Sequence, residues 1–460
     1  MNGNTSEKID AVILAGTHRN KKRLIFDKNK AFLEIKGKAL VAHVAQVCLQ
    51  CPRLGKVVVV GPKNSLESTL NDLSNDYPDK LMIVQQRSRM LENVWNGFLA
   101  TFDDGNNLPV NRRIETMLLG GLYPIKRRIH LNMSFSVYSA VAGLMARNEQ
   151  DVLDKESVLS TMERRFDEFR IRFERHERFM RRMNVETLLA EGLILMETET
   201  GIRFRDQMLY EYFVEWEKRF NKKIFITACD VALITPDAVT DFLDRSDDVS
   251  GDFLMGVSSE ELLRHFYADK NGNRGIKRPY LSLREAHIRA NNMILVRPNR
   301  VGNKELIQQS FGIRKMTEWR NILALFWKLL RLSSRFQTVR MSFLLQLTAV
   351  LRKYGFDSLA EKVRRRIRTK DFEHLLSRIF MTGLRLVETP YSGVSLDIDS
   401  EDDYRKLVEN IDYWAGVQEE IVRSYRTTPA PDGTLIGIFT DAYEDKAVLS
   451  DESSAVSTGL

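Results

Sequence analysis

Three segments of the chain place polar or charged residues directly after apolar runs that predict buried strands. The first is the turn Leu14–Ala15–Gly16, which a basic loop follows, and the second is Asp230, at the end of KIFITACD. The third is the acidic run that contains Asp397 and Asp399. Because open parallel sheets bind ligands beyond the carboxyl ends of their strands, we expect these segments to carry the chemistry.

The loop after Gly16 is rich in cations, which favours phosphate binding. A glycine after a strand lets the backbone approach a ligand, and successive loop N–H groups can hold phosphate oxygens. The P-loop pattern GxxxxGK[ST] and the dinucleotide pattern GxGxxG are both absent from this turn. On composition alone, a solvated basic loop is the alternative. The cations are Arg19, Lys21, Lys22, Arg23, Lys28 and Lys30.

The two acidic segments are candidates for ligands of a hard cation. Asp230 follows a buried strand, which would hold its carboxylate rigidly where Mg²⁺ needs fixed oxygens. Asp397 and Asp399 alternate around Ile398, so on a strand they would share a face. The alternative for both segments is capping of the turn or helix that follows.

The pattern of apolar runs predicts the elements that position these segments. Predicted strands cover residues 10–16, 56–61, 81–85, 223–230, 252–257 and 292–296. Helix patterns alternate with them, which indicates βαβ units and an α/β fold with a mostly parallel central sheet flanked by helices. Thr235 is expected to cap a helix that begins at Pro236.

Two long interruptions of this alternation predict mainly α-helical insertions. The first includes the mixed-charge run 163–183, which predicts an amphipathic helix, with a nucleic-acid-binding arm as the alternative. The second contains the basic cluster Arg364–Arg368, for which a solvated helix face, an anionic acceptor, a membrane surface and a partner all stay open. The predicted core covers 9–102, 222–301 and 385–425, the insertions 103–221 and 302–384, and a flexible tail 426–460.

Composition restricts the class of protein. The 460 residues are 43% hydrophobic and 28% charged, which indicates a globular chain rather than wholesale disorder. The net charge of +7 suits anionic ligands without requiring nucleic acid. Three cysteines cannot form a disulfide framework, which favours a cytoplasmic setting. We expect no signal peptide and no transmembrane segment.

The order and spacing of the motifs resemble the nucleotidyltransferase superfamily with the GT-A-type, Rossmann-like fold. In particular, they look like the molybdenum-cofactor guanylyltransferase-like NTP transferases, which include sugar-phosphate cytidylyl- and uridylyltransferases. The family pattern K-A-[LF]-x-x-I-x-G-K-x-L is similar to KAFLEIKGKAL at residues 30–40. The runs CDVALITP and DIDSEDD, and Leu91–Glu92–Asn93, resemble three further family motifs. The match covers residues 9–102, 222–300 and 385–412.

The resemblance implies a Mg²⁺-dependent transfer of a nucleoside monophosphate from an NTP (CTP, GTP or UTP) to a phosphorylated small-molecule acceptor, with release of pyrophosphate. Lys30 matches the lysine that contacts the triphosphate, and Asp230 and Asp399, rather than Asp397, match the metal-binding acids. The implied nucleotide-binding residues are Leu14, Ala15, Gly16, Thr17, Arg19, Lys22, Arg23, Lys30 and Asn93. The implied acceptor-binding residues are Arg289, Asn291 and Asn292.

Departures from the family pattern keep two other functions open. Thr17 stands where the family has a second glycine, and Val231–Ala232 and Ser400–Glu401 lack the family prolines. A non-catalytic binding or scaffold protein that retains the sheet would carry such changes. A nucleotide-sugar glycosyltransferase is the other alternative, although the position of the acidic run near the last helix is unfavourable for it.

Overall fold

The computed structural model describes most of the predicted core and part of each predicted insertion. The described ranges are residues 8–16, 24–102, 128–172, 194–267, 280–301, 354–380 and 382–427, with single residues between some of them. The predicted tail beyond residue 427, and most of the basic loop after Gly16, lie outside the described residues.

Strands of the described residues form one central sheet and two short hairpins. In chain order they are β1 (Ile9–Leu14), β2 (Glu34–Ile35), β3 (Lys38–Ala39), β4 (Leu54–Gly61), β5 (Leu81–Gln85), β6 (Leu195–Thr198), β7 (Gly201–Phe204), β8 (Ile224–Ala228), β9 (Phe253–Ser259), β10 (Leu281–Ser282), β11 (His287–Val296) and β12 (Leu384–Glu388). The central sheet has the order β12-β9-β11-β8-β1-β4-β5, with β10 beside β11.

This central sheet is mixed but mostly parallel. The pairs β1–β4, β1–β8, β4–β5 and β9–β12 are parallel, whereas β11 is antiparallel to β8, β9 and β10. Helices flank the sheet, so the predicted α/β fold is confirmed. The antiparallel strand was not predicted, since a short apolar run carries no signal for its direction.

Helices of the described residues lie on both sides of this sheet. In chain order they are α1 (Leu40–Gln50), α2 (Lys63–Thr69), α3 (Asn71–Asp76), α4 (Met90–Ala100), α5 (Arg128–Asn148), α6 (Lys155–Arg172), α7 (Gln207–Phe220), α8 (Pro236–Asp247), α9 (Glu260–Leu263), α10 (Asp357–Arg364), α11 (Thr369–Phe380) and α12 (Glu401–Thr427). None of the helices in the described ranges is both long and apolar enough to cross a membrane.

The central strands are buried on both faces, which explains their continuous apolar sequences. Val57 and Val59 belong to the same core as α1 and α8, whereas Val58 and Val60 pack with Phe98 of α4. Alternate residues of one strand thus serve the two helical layers. The predicted cap of α8 is present, since Oγ1 of Thr235 accepts a hydrogen bond from the N–H of Ala238.

Much of the described part of the predicted first insertion is helical and has its own core. Helices α5 to α7 pack with the hairpin β6–β7 around aromatic residues that include Tyr138 and Phe213. Arg165 of α6 forms a half-buried ion pair with Glu217 of α7, at 2.5 Å. The hairpin was not predicted, and the boundaries of the insertion stay a prediction.

Two helical glycines predict stability changes of opposite sign. A Cβ at Gly97 would lie 2.5 Å from Cγ1 of Val12, whereas a Cβ at Gly416 would meet no described atom within 4 Å. We expect Gly97→Ala to lower the free energy of unfolding by about 1–3 kcal/mol, because the layer is already packed. Gly416→Ala should raise it by up to about 1 kcal/mol, because alanine is the better helix former. Urea unfolding of both variants measures the two effects, and effects of the same sign would contradict the packing described.

A buried acid on α11 predicts a pH-dependent stability. Oε1 of Glu373 accepts a hydrogen bond from the N–H of Leu386 in β12, at 2.7 Å. Burial raises the pKa of Glu373 from near 4.5 to about 7. The folded state therefore binds more protons than the unfolded state between these values, and stability falls as the pH rises through that window.

Glu373→Gln removes this ionisation but keeps an acceptor oxygen. We expect the variant to be more stable than the wild type at pH 8, by up to roughly 3 kcal/mol from 1.36 kcal/mol per pKa unit. At pH 4.5 the difference should nearly vanish, because the wild-type carboxyl is then largely protonated in the folded state. Urea unfolding at both pH values measures this, and a constant difference would contradict the assignment.

Candidate active site at the strand ends

The ends of β1 and β8 lie side by side at one edge of the sheet. Leu14, the last residue of β1, pairs with Ala228, the last residue of β8, and the strands are parallel. The N–H of Cys229 donates to the carbonyl of Leu14, so the pairing continues past both strands. Gly16 and Asp230 therefore leave the sheet at the same edge.

A short hydrogen-bonded turn positions Lys30 at this edge. Oδ1 of Asn29 accepts a hydrogen bond from the N–H of Ala31, and Nδ2 of Asn29 donates to the carbonyl of Ala15. The turn Lys30–Phe32 is a 3-10 helix, and its middle residue, Ala31, is buried. The side chain of Asn29 thus ties the turn to the residue that follows β1.

Lys30 lies between the two acids that the sequence singles out. Its Nζ is 3.2 Å from Oδ2 of Asp230 and 3.0 Å from Oδ1 of Asp399, and it also donates to the carbonyl of Ile398. The two carboxylates, 169 residues apart in the chain, therefore converge on one nitrogen. The Lys30 and Asp230 side chains are 16% and 14% exposed, whereas that of Asp399 is 30% exposed, so the cluster opens to solvent on the Asp399 side.

The charges of the cluster depend on one another. Burial acts to lower the pKa of Lys30, but Asp230 and Asp399 outweigh it and raise that pKa above its ordinary value. Burial raises the pKa of Asp230, and Lys30 opposes this shift. The ammonium group thus stabilises both carboxylates in their ionised form.

The start of α12 fixes the position of Asp399. Oγ of Ser400 accepts a hydrogen bond from the N–H of Asp403, and Oδ2 of Asp403 accepts one from the N–H of Asp399. This exchange resembles a capping box, with an aspartate in place of glutamate. The capping alternative is thus present for Ser400, and it holds Asp399 in place.

Asp397 and Asp399 contact different residues. Residues 397–399 form no strand; Asp397 makes an isolated bridge with Val231, and its Oδ1 accepts a hydrogen bond from Nη2 of Arg289 at 2.9 Å. Arg278 donates to the carbonyl of Asp397 and forms an ion pair with Asp403 at 3.1 Å. The expectation of a shared strand face is therefore wrong. Sequence reasoning also missed Arg278, because no motif surrounds it.

Several of the residues that the family resemblance assigns to nucleotide binding lie around Gly16 in the described part of the chain. A Cβ at Gly16 would be 3.3 Å from Nδ2 of Asn93 and 3.3 Å from Oε1 of Gln86, so both amides border the turn. Leu14 ends β1, and Ala15 is buried, with its N–H bonded to the carbonyl of Val60. Sequence reasoning missed Gln86, which follows β5. The predicted residues Thr17, Arg19, Lys22 and Arg23 lie outside the described residues.

The predicted acceptor residues lie in β11, and two of the three are buried. Arg289 donates to the carbonyl of Ser395 as well as to Asp397. Oδ1 of Asn291 accepts a hydrogen bond from the N–H of Met293, while its Nδ2 is buried without a partner among the described residues. Asn292 is half-buried. Arg289 and Asn291 thus make structural contacts, and their role in acceptor binding stays a prediction.

The oxygen ligands of the cluster suit a hard cation that takes few of its ligands from the protein. Asp230 and Asp399 offer carboxylate oxygens within 3.2 Å of one point, the ligand type that Mg²⁺ prefers. In the described part of the chain, no group of three or more His, Cys, Asp or Glu side chains is placed to hold a metal. Two protein carboxylates with water and phosphate oxygens are the usual set for Mg²⁺ in phosphate-binding sites.

Comparisons with known proteins give low similarity. No family model matches the chain, and no curated protein matches it. A structure described as a hypothetical transferase from Thermus thermophilus is 14% identical, with a TM-score of 0.41 over 86% of this chain and 99% of that chain. A CMP:2-keto-3-deoxy-manno-octonic acid synthetase complexed with CTP is 10% identical, with a TM-score of 0.31 over 89% of this chain and 100% of that chain. Neither likeness assigns an activity to this chain.

Proposed function

We propose that the chain is a Mg²⁺-dependent nucleotidyltransferase. It transfers a nucleoside monophosphate from CTP, GTP or UTP to a phosphorylated small-molecule acceptor, such as a sugar or polyol phosphate. The observation that carries the proposal is the convergence of Asp230 and Asp399 on Nζ of Lys30, in a turn that Asn29 ties to Ala15, the residue before Gly16. A cation and two carboxylates at a strand edge match what a triphosphate and its metal require.

In the proposed reaction, a phosphate oxygen of the acceptor attacks the α-phosphorus of the NTP. The bond from the α-phosphorus to the bridging oxygen breaks, and pyrophosphate leaves with the electron pair. Lys30 stabilises the charge that develops on the leaving group. The acceptor phosphate is already ionised, so the step requires no general base, in agreement with a site built from carboxylates and an ammonium group.

Asp230 and Asp399 are the residues that would hold Mg²⁺. A bound ion would offset the negative charge of the phosphate oxygens and help to align them for in-line displacement. Asp230 is fixed by the end of β8, and Asp399 by the cap of α12, so both ligands are held before the substrate arrives. Fixed ligands reduce the reorganisation that binding and catalysis need.

Lys30→Met is expected to increase the response of the free protein to Mg²⁺. In the wild type, the ammonium group pairs with both carboxylates and offsets part of their charge, so a metal would compete with it. Methionine retains the length of the side chain but removes the charge, which leaves two acids with no compensating cation. We expect lower thermal stability of the variant without metal, and a larger rise in Tm over a millimolar titration with MgCl₂. Lys36→Met is the matched control, because Lys36 contacts the exposed Asp412. Equal MgCl₂ responses of wild type and Lys30→Met would contradict the arrangement.

A thermal-shift titration of the full chain tests the proposed function. ATP, CTP, GTP, UTP and a UDP-sugar are each added with and without Mg²⁺, and pyrophosphate release is then measured with a panel of sugar and polyol phosphates. We expect one NTP to raise the Tm only when Mg²⁺ is present, since a ligand at 100 times its Kd adds about 2.7 kcal/mol. Stabilisation by a nucleotide-sugar alone would indicate a glycosyltransferase. The absence of any nucleotide effect would indicate a non-catalytic protein.

A further inference from the structure

A second charged surface lies outside the candidate active site. Residues 362–370, KVRRRIRTK, contain six cations and no acid. Five of these cations are exposed, namely Lys362, Arg365, Arg366, Arg368 and Lys370. Asp357, Glu361 and Asp371 flank the stretch in sequence. Glu361 pairs with Arg364 and Arg365, and Glu285 accepts hydrogen bonds from Thr369. The surface therefore keeps a clear excess of positive charge.

Exposed apolar side chains lie directly before these cations. Half of the ten large hydrophobic residues that are exposed in the described part of the chain fall between residues 343 and 359. Tyr354 is 68% exposed and Phe356 is 60% exposed. The others are Phe343, Val350 and Leu359. Their concentration in one short part of the chain makes this segment a candidate binding surface.

A backbone hydrogen bond closes the turn that carries the two aromatic residues. Gly355 has a φ of +79°, and the N–H of Phe356 donates to the carbonyl of Leu351 at 2.8 Å, as at the end of a helix. This turn places both aromatic side chains at the surface, directly before α10.

Helix α10 combines the apolar and basic residues on one side. Leu359 and Lys362 are three residues apart and both exposed, whereas Ala360 is fully buried. Arg364, at the end of this helix, donates to the carbonyls of Leu283 and Arg284 and so fixes it beside the β10–β11 turn. We name Tyr354, Phe356, Leu359 and the five exposed cations the basic ridge.

We propose that the basic ridge binds the surface of membranes that contain anionic lipids. The cations match the negative potential of such a surface, and the aromatic and aliphatic residues match its interfacial layer. A nucleic acid would use the cations and the aromatic faces, but it has no use for the exposed aliphatic side chain of Leu359. Protein interfaces also use arginine and aromatic residues, so binding to vesicles in the absence of any other protein is the result that separates a membrane from a protein partner.

Vesicle sedimentation of the full chain tests this proposal. Vesicles of phosphatidylcholine alone are compared with vesicles that contain phosphatidylserine as well, and binding is expected only to the second. Lys362→Glu/Arg366→Glu should weaken binding by at least about 25-fold, from about fivefold for each cation lost, because the added acids are also repelled by the anionic surface. Phe356→Ser/Leu359→Ser should weaken it by about tenfold at unchanged net charge. Lys63→Glu/Lys155→Glu is the matched control, because it makes the same charge change at exposed lysines elsewhere.

Several outcomes would overturn the assignment. These are absence of binding to phosphatidylserine vesicles, equal binding by the ridge variants and the wild type, or equal weakening by the control pair. Tighter binding of the full chain to a single-stranded RNA, with the same loss in the ridge variants, would assign the surface to nucleic acid instead. Circular dichroism of each variant establishes that it is folded, and NTP-dependent stabilisation should be unchanged, since the ridge lies outside the candidate active site.

Discussion

Asp230→Asn is expected to reduce pyrophosphate release by about a thousandfold, comparable to the loss of a principal electrostatic group in other active sites. The substitution is isosteric, and it removes one of the two carboxylates that converge on Lys30. The fold should persist, because burial already disfavours the charge of this side chain, as the direction of its pKa shift shows. Pyrophosphate release is measured with the NTP and acceptor that the titration and the acceptor panel identify.

A matched control separates this effect from a general loss of structure. Asp237→Asn makes the same chemical change seven residues later, at an exposed position in the first turn of α8. It should leave the rate within about twofold, because surface substitutions of this kind have small effects. Equal rates for Asp230→Asn and the wild type would remove Asp230 from the mechanism, whatever the behaviour of the control.

Arg289→Met is expected to destabilise the fold by about 3–5 kcal/mol, the usual result of removing one partner of a buried ion pair. Arg289 and Asp397 are both buried, 2.9 Å apart. Without the guanidinium group, Asp397 loses its hydrogen-bonded partner and retains a longer ion pair with Arg278, at 3.9 Å, while the carbonyl of Ser395 loses a donor. Urea unfolding without ligands measures the loss.

The double variant Arg289→Met/Asp397→Asn provides the control for this pair. It removes both charges at once, so we expect it to recover at least half of the stability that Arg289→Met loses. A stable Arg289→Met variant with a raised KM for the acceptor would support the acceptor role implied by the family resemblance. A loss of stability that the second substitution rescues would instead assign Arg289 to the scaffold that supports the segment before Asp399.

The α/β class could be predicted because it depends on local patterns. Residues such as Val57–Val60 are apolar without interruption, which is the property of a strand buried between two layers of helices. The helix cap at Thr235 could also be predicted, because the hydrogen bond that forms it joins residues only three positions apart. The direction of β11 was not visible, because strand direction is decided by the path of the connecting chain rather than by the composition of the strand.

The site also contains some residues that local sequence patterns identify and others that depend on contacts between distant segments. Asp230 and Lys30 were identified from strand ends and from the family resemblance, and the structure brings both to one point with Asp399. Arg278 and Gln86 were missed, because their positions depend on contacts between distant segments and no local pattern marks them. Burial of Arg289 was also not predicted, since an arginine after a loop is usually exposed.

Lys30 contacts partners that are 200 and 369 positions further along the chain. Contacts over such distances form slowly during folding, and the first part of a chain folds first as it leaves the ribosome. The β1–β4 pair can therefore assemble early in synthesis, long before residue 399 has been translated. A nascent chain would have a nearly complete sheet but no second carboxylate, so the proposed activity would be acquired only when the last long helix docks.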